Sequence, residues 1–208
     1  MTVERKVVVA GAGLMGTGIA HAFAAAGYST ALVDLNAEAL SRSQASIGTI
    51  LDDGVRLGKV DADAAVAAKG RLSISTDLAE GARGAALLVE TVSEQLAVKQ
   101  AVITAAEAVL APNAVVATNT SALSVTEIAT ASKDPSRVIG MHFFNPVHKM
   151  KLVEVVCALE TAPETMDLIE EVAKQMGKET VRIKESPGFV TSRVNAMIGN
   201  EAFYMLQQ

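Results

Sequence analysis

A chain of 208 residues, half of them hydrophobic and a fifth charged, has the balance of a globular protein with a substantial core. Its formal charge of −5 argues against a nucleic-acid binder, whose footprint would be basic. With 3% aromatic residues and no Trp, little is left for base or carbohydrate stacking, which directs attention to small-molecule chemistry.

Apolar runs alternate with helical patterns from the start, the signature of an α/β sheet covered on both faces. The opening residues Met1 to Lys6 lead into a stretch too short for a secretory core. Val7-Val8-Val9-Ala10 reads as a buried parallel strand and Leu14 to Ala26 as a helix closed by Gly27. Ser29 to Val33 is the second strand. Asn36 is a plausible N-cap for a helix from Ala37 into the 50s, and Asp61 to Ala68 forms a short helical piece. Strands are expected at Leu72 to Ser75, Ala85 to Val89, Ala114 to Thr118, Val138 to Met141 and Leu152 to Val156. A helix from Leu96 to Val109 stops before Pro112. Pro163 opens another that ends at Gly177, and Thr180 to Ile183 is the last strand.

Ser186-Pro187-Gly188-Phe189 then reads as a domain boundary. It divides a nucleotide-binding domain (1–185) from a helical segment (186–208) that looks like the beginning of an all-α second domain. No apolar run approaches the span of a bilayer, so no membrane partner is expected. The lone cysteine, Cys157, allows no internal disulfide and reads as packing, which makes a cytoplasmic compartment the expectation.

Gly11, Gly13 and Gly16 are spaced G-x-G-x-x-G between a buried strand and a helix, with Leu14 and Met15 inside the turn. Gly11 suits the tight turn, Gly13 the approach of a pyrophosphate, and Gly16 close helix–strand packing. Phosphates would then meet the free N–H groups at the helix N-terminus. Asp34, 18 residues after Gly16, ends the next strand, where a carboxylate accepts from ribose hydroxyls and repels a 2′-phosphate. Leu35 and Asn36 supply no arginine, so NAD is expected over NADP.

The cofactor motif does not name the reaction. Thr118-Asn119-Thr120-Ser121 follows a strand, at the edge where such sheets bind ligands. His142 ends another strand and is an acid–base candidate. Glu154, twelve residues on, lies in an apolar strand: it either pairs with His142 or is turned to solvent by alternation. No metal site is evident.

The strings VVVAGAGLMGTGIA, ATNTSALSVTEIA, GMHFFNPVHKMKLVEVV and ESPGFVTSR closely resemble the L-3-hydroxyacyl-CoA dehydrogenase family, in particular its short-chain 3-hydroxybutyryl-CoA members. The resemblance runs through essentially the whole chain in the family's order and implies a Rossmann-type, doubly wound, mostly parallel sheet. It implies NAD-dependent oxidation of a (3S)-3-hydroxyacyl-CoA in fatty-acid or related metabolism. On it, His142 and Glu154 match the catalytic pair and Ser121 the serine that holds the substrate's 3-oxygen. Asn119 falls in the same post-strand cluster, and Asn145, Glu94 and Lys99 match residues near the nicotinamide. Ser192 stands where many relatives have an asparagine near the substrate carbonyl. No lysine for the CoA phosphates carries over.

The resemblance further implies a helical second domain that closes over the acyl-CoA and forms a homodimer, of which only the first helix is expected here. A family member oxidising a sugar acid such as L-gulonate, and a non-catalytic NAD-binding protein, are the alternatives.

Overall fold

The computed structural model describes residues 6–208. The first five residues of the expected nucleotide-binding domain lie outside the described residues. β1 (Lys6–Ala10), α1 (Leu14–Ala25), β2 (Ser29–Val33), α2 (Ala37–Arg56), α3 (Ala62–Gly70) and β3 (Leu72–Ser75) form the first half of the sheet. The second half begins with α4 (Leu78–Ala82), β4 (Leu87–Glu90), α5 (Leu96–Glu107), β5 (Val115–Thr118) and α6 (Val125–Ala129). It continues through β6 (Val138–Phe143), β7 (Leu152–Cys157), α7 (Pro163–Gln175) and β8 (Glu179–Lys184), and α8 (Thr191–Gln207) follows.

The strands make one sheet in the order β3-β2-β1-β4-β5-β6-β7-β8. Every pairing is parallel except β6 with β7. That exception follows from connection length. Residues 144–151 join β6 to β7 without a helix, too short for a parallel crossover. The sheet is therefore doubly wound and mostly parallel, as the alternating pattern implies.

Strand alternation builds two cores. Val7 and Val9 face Ile19 and Phe23 of α1, Ile47 and Leu51 of α2, and Ile169 of α7. Val8 and Ala10 face Ala82 of α4, Ile103 of α5 and Ile128 of α6. With both faces covered, the central strands are apolar over most of their length, which is why they read as nearly unbroken runs. α2 buries Leu40, Ser43, Ile47 and Leu51, one stripe of a 3.6-residue period, and the Asn36 side chain caps it by accepting from Glu38 and Ala39 N–H.

Two short helices were not expected from the sequence. α4 and α6 have five residues each, too few for a periodic signal, although Asp77 and Ser124 cap them. The strand expected to end at Val89 ends one residue later, and that places Glu90 at the carboxyl edge. Among the described residues no helix is long and apolar enough to cross a membrane. No group of three His, Cys, Asp or Glu stands together as a metal site there either.

Candidate active site

The glycine loop joins β1 to α1. Gly11 has φ +108°, and a Cβ there would lie 2.8 Å from the Thr91 carbonyl oxygen. A Cβ on Gly16 would lie 1.8 Å from the Gly11 carbonyl oxygen, so both positions require glycine on contact alone. Gly13 differs: a Cβ there would meet nothing within 4 Å. Its neighbourhood is open at the N-terminus of α1, which has no side-chain cap and no acidic residue in its first turn. These N–H groups form a cradle with the chemistry a pyrophosphate needs.

Asp34 follows β2 and stands beside this loop. Its Oδ2 accepts from Ala12 N–H at 2.7 Å and its Oδ1 from Asn36 N–H at 2.8 Å. A cavity of about 720 Å³ runs here between the ends of β1, β2 and β4 and the flank of α5, lined by Gly11, Gly13, Asp34, Thr91 and Val98 among others. It lies where β1 is flanked by β2 on one side and β4 on the other, the point at which chain direction across the sheet reverses. The residues fit a dinucleotide: glycine turn, uncapped helix terminus and strand-end carboxylate all face one groove.

A second cavity of about 350 Å³ continues from it and is lined by Met15, Thr91, Glu94, Asn119, Thr120, Ser121, His142 and Phe143. His142 and Glu154 are directly opposite in the antiparallel β6–β7 register, so their side chains share a face at neighbouring positions. The His142 Nδ1 lies 2.7 Å from the Glu154 Oε2. Both are buried, at 8% and 2% exposure, and the rings of Phe144 and Phe189 lie against the imidazole. Glu154 is thus paired with His142, and the solvent-facing alternative fails.

Behind the cavity wall lies a network that the sequence reveals only in part. Lys99 is fully buried. Its Nζ donates to both oxygens of Glu90 at 3.0 Å and to the Asn119 carbonyl at 3.0 Å, and lies 3.4 Å from Glu94. Glu90, also fully buried, further accepts from the Thr118 hydroxyl and from Val92 N–H, each at 2.6 Å. Burial pushes the Glu90 carboxyl above its ordinary pKa, against the pull of Lys99 and these donors.

Glu94 stands at the cavity, accepting from Thr120 Oγ1 and, at 3.0 Å, from Ser121 N–H. Burial opposes its charge, but those hydrogen bonds and Lys99 prevail and hold its pKa below the ordinary value. Lys99 was expected beside the nicotinamide; with no exposure it lies behind Glu94 and does not line the cavity.

The remaining candidates divide. Ser121 and Asn119 line the cavity, though the Asn119 Oδ1 is taken by Phe143 N–H at 3.0 Å, tying β5 to β6. Met15 lines it, and Leu14 points outward, 71% exposed. Asn145 is exposed on the loop after β6 and Ser192 half-buried in the first turn of α8; neither lines the cavity. The sequence reading missed Glu90, although an acid closing an apolar strand was visible in it. It also missed Thr191, whose N–H and hydroxyl both reach Glu154.

Residues 6–186 match the family described as 3-hydroxyacyl-CoA dehydrogenase, NAD binding domain. The chain is 40% identical over 204 residues to a 3-hydroxyadipyl-CoA dehydrogenase of Escherichia coli, covering 98% of this chain and 43% of that one. It is 38% identical over 204 residues to a probable 3-hydroxybutyryl-CoA dehydrogenase of Bacillus subtilis, covering 98% of this chain and 71% of the relative. The crystal structure of (S)-3-hydroxybutyryl-CoA dehydrogenase from Ralstonia eutropha superposes with a TM-score of 0.94 at 33% identity, over 99% of this chain and 72% of that one. The chain therefore spans less than half of one relative and under three quarters of the others. A glycine cradle, a strand-end Asp34 and a family match over nearly the whole sheet agree, and the chain belongs to the 3-hydroxyacyl-CoA dehydrogenase family, whose NAD-binding domain it contains.

Proposed function

We propose that this chain works in an NAD-dependent dehydrogenase that oxidises (3S)-3-hydroxyacyl-CoA, with a short acyl chain such as 3-hydroxybutyryl, to 3-ketoacyl-CoA. The observation that carries this reading is the buried His142–Glu154 pair at the far end of the dinucleotide groove. With Nδ1 held by the carboxylate, the other ring nitrogen, Nε2, takes the proton of the substrate's 3-hydroxyl. The groove at Gly11, Gly13 and Asp34 would hold NAD, which would supply the acceptor for the hydride leaving carbon 3. Glu154 fixes the tautomer and stabilises the imidazolium that forms. Ser121, on the cavity wall, orients the reacting oxygen, while Glu94 fixes the Ser121 backbone and Lys99 supports Glu94 from behind. Asn145 and Ser192 reach the cofactor and substrate only as a second domain closes. That domain begins at residue 186, forms a homodimer and supplies the outer wall for the acyl-CoA. The protein works in the cytoplasm, in fatty-acid or related acyl-CoA metabolism.

The test is turnover of 3-hydroxybutyryl-CoA with NAD, and of acetoacetyl-CoA with NADH, in the protein and in His142→Ala. The variant should lose about 10²–10⁴-fold in kcat with NADH affinity little changed, and Glu154→Gln should lose less. Turnover of L-gulonate in place of the acyl-CoA, or an unaffected His142→Ala, would overturn the reading.

A further inference from the structure

Glu154 has more partners than a histidine-orienting carboxylate needs. Its Oε2 accepts from His142 Nδ1 at 2.7 Å and also from the Thr191 hydroxyl at 3.1 Å, while its Oε1 accepts from Thr191 N–H at 2.9 Å. Thr191 is the first residue of α8, and the preceding Val190 offers no side-chain cap. A strand carboxylate therefore caps a seventeen-residue helix, where the helix dipole favours its negative charge. From the same turn, Phe189, held at φ +52°, lays its ring 5.7 Å from that of His142.

A carboxylate can rotate about its last bond. The backbone N–H takes one oxygen and leaves the other to His142; the hydroxyl, donating to that second oxygen, fixes the plane in which it meets the ring. We infer that Thr191 is a positioning residue for the His142–Glu154 pair. Its hydroxyl locks the carboxylate that orients the imidazole, so the geometry of the pair depends on the start of α8. The catalytic consequence rests on the dehydrogenase reading above; the geometric one does not.

Thr191→Val is nearly isosteric, keeps the N–H and removes the hydroxyl, and Thr191→Ser restores it. In the 208-residue chain the His142 ring N–H proton, assigned by its loss in His142→Gln, reports the hydrogen bond to Glu154 directly. The resonance should shift and broaden by exchange in Thr191→Val and return in Thr191→Ser, with thermal unfolding confirming that both variants fold. In turnover of 3-hydroxybutyryl-CoA with NAD, kcat should fall on the order of 10-fold in Thr191→Val with KM for NAD unchanged, and recover in Thr191→Ser. A resonance unmoved in folded Thr191→Val would overturn the inference. Should Thr191→Val not fold, Thr191→Ala replaces it, with the same outcomes deciding. Where the wild type has no turnover, the dehydrogenase reading fails and the resonance alone decides the role of Thr191.

Discussion

At the end of β2 the Asp34 carboxylate is already held by Ala12 and Asn36 N–H, so on the proposed reading a ribose hydroxyl would meet an oriented acceptor and a 2′-phosphate would meet like charge. The chain should bind NADH more tightly than NADPH. Asp34→Ala should weaken NADH by about 10-fold and narrow the gap, since hydrogen bonds to charged groups are the stronger ones. Calorimetric titration giving the wild type equal affinity for both would refute this. The Glu90–Lys99 pair makes a different demand. Lys99→Met leaves a buried carboxylate without its counter-charge and should cost about 3–5 kcal/mol.

Burial already raises the Glu90 pKa, and losing Lys99 raises it further. A carboxyl with a raised folded-state pKa contributes stability that is present below the unfolded value and lost as pH rises through the folded one. The Lys99→Met deficit should therefore be smaller at mildly acidic than at mildly alkaline pH, and Glu90→Gln in the same chain should recover part of it. Urea denaturation at the two pH values measures both. Asp34 was legible because spacing alone fixes it at a strand end. The role of Lys99 was not, because spacing does not tell a side chain that lines a cavity from one that braces its wall.

The long elements were readable and the short ones were not, for a physical reason. α2 is capped by Asn36 and repeats its buried stripe over about three turns, from Leu40 to Leu51, so cap and period agree. α6 has one turn and a half, and only its Ser124 cap marks it. The antiparallel return of β7 was equally hidden: the sequence showed two strands and a loop, and direction comes from the lack of room for a crossover. On that direction rests the His142–Glu154 register, which spacing of twelve residues left undecided.

The same return loop lies on α1. Val147 approaches Gly18 so closely that a Cβ there would lie 2.9 Å from its side chain, and Lys178 Nζ donates to the Val147 and Met150 carbonyls. Beside them His21 of α1 has a buried Nδ1 with no hydrogen-bond partner among the described residues. Burial, then the charges of His148 and Lys178, lower its pKa from 6.5 to about 4. The unfolded chain binds this proton first, so stability from a neutral His21 is present above pH 6.5 and lost as pH falls toward about 4. Thermal melts across that window should show the wild type losing up to about 3 kcal/mol more than His21→Gln. Parallel curves would show that His21 titrates alike in both states.

Taken whole, the molecule ends its packing at the turn after β8. α8 has no buried residue: Val194, Met197, Ile198, Phe203, Tyr204, Met205 and Leu206 are all at least 49% exposed. Apolar surface of that extent finds a partner, here either further helices of the same protein, as the greater length of the relatives allows, or another copy. The dinucleotide groove depends on none of it. Gly11, Gly13, Gly16, Asp34 and the ends of β1, β2 and β4 are buttressed by the two cores of the sheet, so the 208-residue chain alone should bind NADH.

Catalysis asks for more. The cavity at His142 and Ser121 is walled by the sheet edge and open beyond it, and polar contacts at a reacting centre gain strength only as water is excluded. The 208-residue chain should therefore turn over acetoacetyl-CoA at a small fraction of the rate of a full-length relative at equal NADH saturation. In sedimentation velocity it should self-associate with rising concentration, and Phe203→Glu with Met205→Lys should abolish that while leaving NADH titration unchanged. Near-full turnover by a monomer would mean that the sheet alone excludes enough water, and that the exposed face of α8 serves something other than closing the site.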